Sequence, residues 1–294
     1  MSELIPEIYF RKDYDSPLQL EVISFEDMQT LFSHPLGHDP FKPHQLKFNI
    51  LIVITGGKPG IHSIDFKDHS YQDRCVMLIS KDQIHSFVDL PYNNEGYLLM
   101  FSDELFIEIG SSYPFLINHF YNNQLYDPIH RLKKKDFGEL LFVVRKIIHK
   151  MEDKRHSVRL EVVQSYFKIL LLEIFSCREW RYGKIQKNSL TEDFIKFQLL
   201  LKENFIKEKK VKFYAQKLNM TPRKLNQITQ TAVHLTAKNF ITSFVILEAK
   251  KYLISPTLSA KEVAYKLGFD EPTNFTKFFK NHTHMLPTEF VKSH

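Results

Sequence analysis

Two short stretches of this 294-residue chain carry side chains suited to reading flat polar edges. One holds Arg223, Lys224, Asn226 and Gln227, the other Thr273, Asn274, Thr276, Lys277 and Lys280. Arg forks onto guanine, Asn and Gln pair with adenine, and Thr bonds a base or touches a thymine methyl. Lys supplies charge for phosphate. Neither stretch has an Asp or Glu between its proline and the next ten residues, so nothing there repels a polyanion. A third set, His44, Lys47, Asn49, His62, Arg74 and His85, is scattered through the first 90 residues. Such groups can be the few convergent polar contacts of an otherwise apolar small-molecule pocket. An inward Lys47 or Arg74 would favour an anionic or polyhydroxylated ligand. Set against this is the plainer reading of the same residues as rim positions or ordinary hydrogen-bonded histidines. No Ser–His–Asp order, phosphate-cradling glycine loop or dinucleotide fingerprint occurs, which argues against catalysis and against a bound cofactor.

These residues need elements to hold them, and the first two sets lie in a duplicated frame. "KFYAQKLNMTPRKLNQIT" (212–229) and "EVAYKLGFDEPTNFTKFFK" (262–280) align Ala215 with Ala264, Leu218 with Leu267, Asn219 with Gly268 and Pro222 with Pro272. In each, a small residue marks a close helix crossing and a leucine follows it. The helix must then stop in a left-handed residue, which glycine adopts freely and asparagine tolerates best among the others. A second helix restarts near Thr221–Pro222 and near Asp270–Pro272, with cap and early-proline signals. Its inward face is expected to be Leu225 and Ile228 in one copy, Phe275 and Phe278 in the other. Helix, tight turn, helix at this spacing is a helix–turn–helix, whose second helix can enter a major groove. The units fall at about 211–230 and 259–281. A helical bundle with exposed polar faces is the bland alternative.

Charge agrees with an anionic partner. From Leu190 to His294 there are 17 Lys and Arg against 9 Asp and Glu, while the first 189 residues hold 23 against 25. The basic character therefore belongs to the repeat segment. With 43% hydrophobic residues and nine glycines the chain is that of an ordered globular protein. No long apolar run or signal-like start is present, and the two cysteines, Cys75 and Cys177, are expected as separate thiols. A cytoplasmic location follows as an expectation.

Ahead of the repeat, "FNILIVIT" (48–55), "GIHSIDF", "RCVMLIS" (74–80), "HSFVDL" and "GYLLMFS" (96–102) are short strands separated by turns, predicting a small barrel or two-sheet sandwich. "DFGELLFVVRKIIHKM" (136–151) puts Leu140, Leu141, Val144, Ile147, Ile148 and Met151 on one helical face. In the next helix Leu160, Val163, Phe167, Leu170, Ile174 and Cys177 alternate by three and four, the period of a two-helix seam. Either a dimer interface or packing within its own domain satisfies that pattern. "REWRYGKIQKNS" (178–189) is the expected linker, and Thr191 the expected cap of the helix after it.

Residues 190–290 resemble the DNA-binding domain of the AraC/XylS family of bacterial transcription regulators, most closely in "ILEAKKYL", "SAKEVAYKLGFDEPTNFTKFFKNHT" and "LPTEF". The resemblance implies seven helices and two recognition helices in adjacent major-groove segments. Base contacts would fall on Arg223, Asn226 and Gln227, then on Thr273, Thr276 and Lys277, with Lys224 and Lys280 on phosphates. The chain departs from the family at His234 and His284, where glycine is usual, at Val245 in place of Arg, and at Thr229 in place of an aromatic residue. "KPHQLKFNILIVITGG", "ISKDQIHSF" and "GYLLMFSDELF" resemble the cupin-like sensor domain of such regulators.

The expected fold is therefore α+β and multidomain. A cupin-like β-barrel sensor occupies 1–130, a helical dimerisation or linker segment 131–180, and the all-α DNA-binding domain 187–294. Implied partners are double-stranded DNA, a small-molecule effector, a second copy of the chain and, for an activator, RNA polymerase. Enzymes with the cupin fold place two histidines one residue apart, but here Leu46 stands where the partner of His44 would fall. A metal-dependent enzyme fused to a DNA-binding module thus stands as an alternative, as does a regulator whose β domain only dimerises.

Overall fold

The computed structural model describes residues 7–8, 19–32, 39–89, 94–110, 128–153, 158–182, 189–233, 235–254 and 258–293. Two compact units emerge, Pro6–Ile185 and one containing Gln186–His294.

The first unit holds two five-stranded sheets. One runs β1 (Glu7–Ile8), β3 (His44–Leu46), β8 (Ile84–Asp89), β5 (Gly60–Ile64), β6 (Lys67–Tyr71). The other runs β10 (Ile129–Arg131), β7 (Cys75–Ile79), β4 (Asn49–Gly56), β9 (Glu95–Phe101), β2 (Leu20–Ser24). All pairings are antiparallel except β1 with β3. The expected barrel is corrected to a sandwich, since no ladder among the described residues joins the sheets. Outer strand β6 exposes Lys67, Asp68 and Ser70, and a charged, polar edge of this kind discourages further pairing.

The unbroken apolar run of β4 is explained by burial on both faces. Ile50, Ile52 and Ile54 pack toward the other sheet with Leu46, Ile64, Tyr71, Met77 and Phe87. Leu51 and Val53 turn the other way, with Val76, Leu78, Leu99 and Phe101, onto helices α3 (Lys134–Glu152) and α4 (Arg159–Tyr182). Short helices α1 (Phe25–Phe32) and α2 (Asp103–Gly110) add Phe25 and Met28 to the first core and Leu105 and Phe106 to the second. The three-and-four stripe on α4 is spent inside the chain: Val163, Phe167, Leu170 and Ile174 are buried, with the Phe167 ring 4.9 Å from that of Phe101. Helix α4 continues to Tyr182, so residues 178–182 are helix rather than linker.

The second unit is helical: α5 (Ser189–Asn204), α6 (Val211–Lys217), α7 (Pro222–Val233), α8 (Ala237–Leu253), α9 (Ala260–Lys266), α10 (Pro272–Thr283) and α11 (Pro287–Ser293). Seven helices are thus described, in agreement with the expectation. Helix α5 begins at Ser189, which puts Thr191 inside it rather than at its cap. Phe194, Phe197, Leu201, Tyr214, Ala215, Leu225 and Ile228 are buried in the first half; Val263, Ala264, Leu267, Phe275, Phe279 and Phe290 in the second. Val245 is fully buried.

Candidate nucleic-acid interface and sensor interior

Each half of the helical unit builds its turn with the same hydrogen bonds. In the first, the Asn219 amide donates to Gln216 and the Met220 amide to Ala215; in the second, Gly268 donates to Tyr265 and Phe269 to Ala264. This is the Schellman arrangement, which satisfies the last helical carbonyls by a left-handed residue. Asn219 has φ 53° and Gly268 φ 73°, as the sequence predicts. Gly268 meets a second demand, because a Cβ there would lie 1.9 Å from the carbonyl oxygen of Ile206.

The second helix of each half then points a polar face outward. In α7, Thr221 caps the helix by accepting from the Lys224 amide at 3.1 Å. Leu225 and Ile228 turn inward, leaving Arg223 and Gln227 exposed and Lys224 and Asn226 partly so. In α10 the cap position is Glu271, without a side-chain bond, rather than Asp270. Phe275 and Phe279 are fully buried, whereas Phe278 is only partly so and rests on Phe269 and His282. The inward pair is therefore spaced by four, not three, because Phe279 meets Phe290 of α11 at 5.8 Å. Thr273, Asn274, Lys277 and Lys280 are exposed and Thr276 partly so.

Two of the nine residues have structural duties. Asn226 Oδ1 accepts from the Ala237 amide at 2.8 Å, tying α7 to the start of α8. The Thr276 hydroxyl donates to the Pro272 carbonyl at 3.0 Å. Each keeps half its hydrogen-bonding capacity: the Asn226 amide nitrogen and the Thr276 oxygen lone pairs. Gln230 and Asn281, one turn further along the two faces, are also exposed. Continuing the helical period past Gln227 and Lys277 would have found them. At the end of α10 His284 adopts φ 62°, the left-handed conformation otherwise given to glycine. His234 lies outside the described residues.

In the sandwich unit three of the six candidates come together. His44 pairs with His85 across β3 and β8, and His62 with Phe87 across β5 and β8. The His44 and His85 rings are 4.1 Å apart, and His62 Nε2 lies 3.1 Å from His85 Nδ1. All three histidines are buried, His62 completely. Burial first, then repulsion from His44 and His69, pushes the His62 pKa down to about 3. Its Nδ1 has no hydrogen-bond partner among the described residues. The other candidates are engaged elsewhere. Lys47 binds Asp82 and Gln45, Arg74 binds Asp73, and Asn49 bridges Asp103 and the Lys81 amide. Among the described residues, no group of three His, Cys, Asp or Glu has the geometry to hold a metal ion. Both cysteines are free thiols.

Residues 214–293 match the family described as "Helix-turn-helix domain". The HTH-type transcriptional activator RhaS of Yersinia pseudotuberculosis is 21% identical over 256 residues, covering 85% of this chain and 88% of that protein. In its helix–turn–helix domain, and along most of its length, the chain is similar to AraC-type transcription regulators. RhaS of Yersinia pestis is similar at 20% identity over the same shares. ToxT from Vibrio cholerae is similar at TM-score 0.44 and 16% identity, over 93% of this chain and 97% of that one. Its structure with a bound unsaturated fatty acid is similar at TM-score 0.44 and 14% identity, over 92% and 94%. The helix–turn–helix match and the activator relatives make this a DNA-binding regulator. Among the described residues no helix is long and apolar enough to cross a membrane.

Proposed function

We propose that this regulator reads a promoter site through α7 and α10 together, under control of a small molecule bound by the sandwich unit. The observation that carries the reading is the pair of exposed, acid-free faces on the second helix of both repeats, within the basic segment. Arg223, Asn226 and Gln227 meet base edges in one groove segment, and Thr273, Asn274, Thr276 and Lys277 in the next. Lys224 and Lys280 neutralise phosphates. Asn226 acts there only as a donor, and Thr276 only as an acceptor, given their internal bonds.

The three converged histidines and Phe87 support the sandwich interior as the effector site: polar groups in an apolar surround fix a ligand's orientation. Lys47, Asn49 and Arg74 then hold the surrounding loops instead of touching the ligand. Binding shifts the population competent for DNA, which requires different affinities for the two states. Nothing in this reading needs catalysis. The protein works in the cytoplasm as a homodimer and, if it shares the activating role in its relatives' names, engages RNA polymerase.

The test is binding of full-length protein to fragments of its own genome at about 150 mM salt, which suppresses sequence-independent phosphate binding. Enrichment of one or a few promoters is expected; uniform retention of all fragments would overturn specific reading. Adding candidate metabolites to the enriched fragment should then change affinity for one chemical class. No change with any of them would leave the sandwich without a sensing role.

A further inference from the structure

Outside the two recognition faces, the segment between α5 and α6 makes a contact that the repeat itself does not explain. It is fastened to the first half: the Phe205 amide donates to Leu201, the Lys207 and Glu208 amides to Asn204, and the Tyr214 hydroxyl to the Glu208 carbonyl. The Phe205 ring meets Phe244 of α8 edge-on at 5.2 Å. From this anchored loop Lys209 reaches 58 positions along the chain. Its Nζ donates to the Leu267 carbonyl at 2.7 Å and to the Ile206 carbonyl at 3.0 Å. It also lies 4.8 Å from the centre of the Phe269 ring. Gly268, between those two residues, presses against the Ile206 carbonyl where no Cβ would fit. The Lys209 ammonium is half-buried, and desolvation lowers its pKa against the opposing pull of Asp270 and Glu208.

Leu267, Gly268 and Phe269 form the turn that aims α10. We propose that Lys209 is a positioning residue, fixing the angle between the two recognition helices and hence the DNA spacing the protein accepts. Helices of both halves pack along α8, which sets the distance between them. The Lys209 contact adds a direct attachment from the loop before α6 to the turn before α10. Two of the three ammonium protons are committed to backbone carbonyls and the charge faces an aromatic ring, so Lys209 does not serve as a phosphate contact. The carbonyl it satisfies at Leu267 belongs to the last turn of α9, where a lysine can complete the orphan acceptors.

The inference rests on α7 and α10 both reading bases, so Lys277→Ala is measured in parallel. The probe is a duplex selected by the full-length wild-type protein from random sequence, together with versions carrying one base pair more or fewer between the two contacted segments. Lys209→Met is expected to lose about tenfold in affinity for the selected duplex, about 1.4 kcal/mol. It should discriminate less than wild type against the altered spacings and keep the salt slope unchanged. Lys209→Arg, which can still donate to both carbonyls, should restore most of the loss. Weakening of all duplexes alike with a salt slope lower by about one would make Lys209 a phosphate contact and overturn the proposal. Equal weakening at an unchanged slope, with loss of helical signal, would reduce it to a folding role and overturn it as well. So would wild-type affinity and spacing preference in Lys209→Met. If Lys277→Ala alone has an effect, only the Lys209 assignment fails; if Lys277→Ala has none, the docking of α10 fails.

Discussion

Asn219 and Gly268 end equivalent helices with equivalent hydrogen bonds, yet only one of them could exchange places with the other. The first turn asks for a left-handed residue, and asparagine supplies it. The second asks for the same backbone and also for an absent side chain, because the Ile206 carbonyl occupies the space. One helix further on the contrast reverses. Thr229 and Phe279 occupy the same inward position and both are fully buried. Phe279 fills its site with ring contacts to Phe275 and Phe290, whereas the Thr229 hydroxyl is satisfied by the Asn226 carbonyl. A duplicated fold thus conserves its backbone demands, while each copy answers to neighbours the other lacks.

The comparison can be broken most sharply at its cores. Phe279→Ala should cost about 3–5 kcal/mol of stability by opening a cavity. Thr229→Ala, which deletes one hydroxyl and one methyl, should cost about 1 kcal/mol. Chemical denaturation followed by helical circular dichroism would measure both; equal losses would mean that the copies are packed alike. Next come the turns. Gly268→Ala should cost about 2–4 kcal/mol, from the left-handed penalty and a clash with backbone, and Asn219→Ala about 1 kcal/mol. Thermal unfolding should rank them in that order, with Asn219→Gly near neutral. On the DNA side, Lys277→Ala should cost about 1–3 kcal/mol at the cognate site and relax base preference there. Lys280→Ala should weaken all sequences alike and lower the salt slope by about one, read from binding titrations at several salt concentrations. The smallest effect is at His284, whose left-handed backbone is strained for a residue with a Cβ. His284→Gly should raise stability by about 0.5 kcal/mol, less than the full strain because glycine loses more chain entropy.

Much of this was legible because the helix–turn–helix is a local object. The left-handed residue, the cap at Thr221 and the buried alanines are all fixed by neighbours within about ten positions. The strands 48–55, 74–80 and 96–102 were legible for a related reason, burial on both faces of the sheet. What escaped depended on distant partners. Phe279, not Phe278, faces inward because α11 waits there. Helix α4 runs past residue 178 because Arg178–Tyr182 contains no glycine or proline to break it. Lys209 gives no local hint of its carbonyl partners near residue 267. The facing of His44, His62 and His85 required the register between β3, β5 and β8, and edge strand β10, of three residues, is too short to stand out from turns.

The histidine pair inside the sandwich limits how many protons the folded unit can hold. His62 Nε2 and His85 Nδ1, 3.1 Å apart, share one N–H between them, so their four ring nitrogens carry at most three protons while that contact lasts. Unfolded, the same two rings can take four. With the His62 pKa pushed down to about 3, below its ordinary value near 6.5, the unfolded chain takes up protons first as pH falls. Neutral His62 therefore disfavours unfolding fully above about pH 6.5, and that support drains away as pH falls toward 3. A sandwich built on this pair grows less stable with acid at a slope set by its own arithmetic. His62→Phe, which still fills the space beside Phe87 but takes up no proton, should flatten that slope.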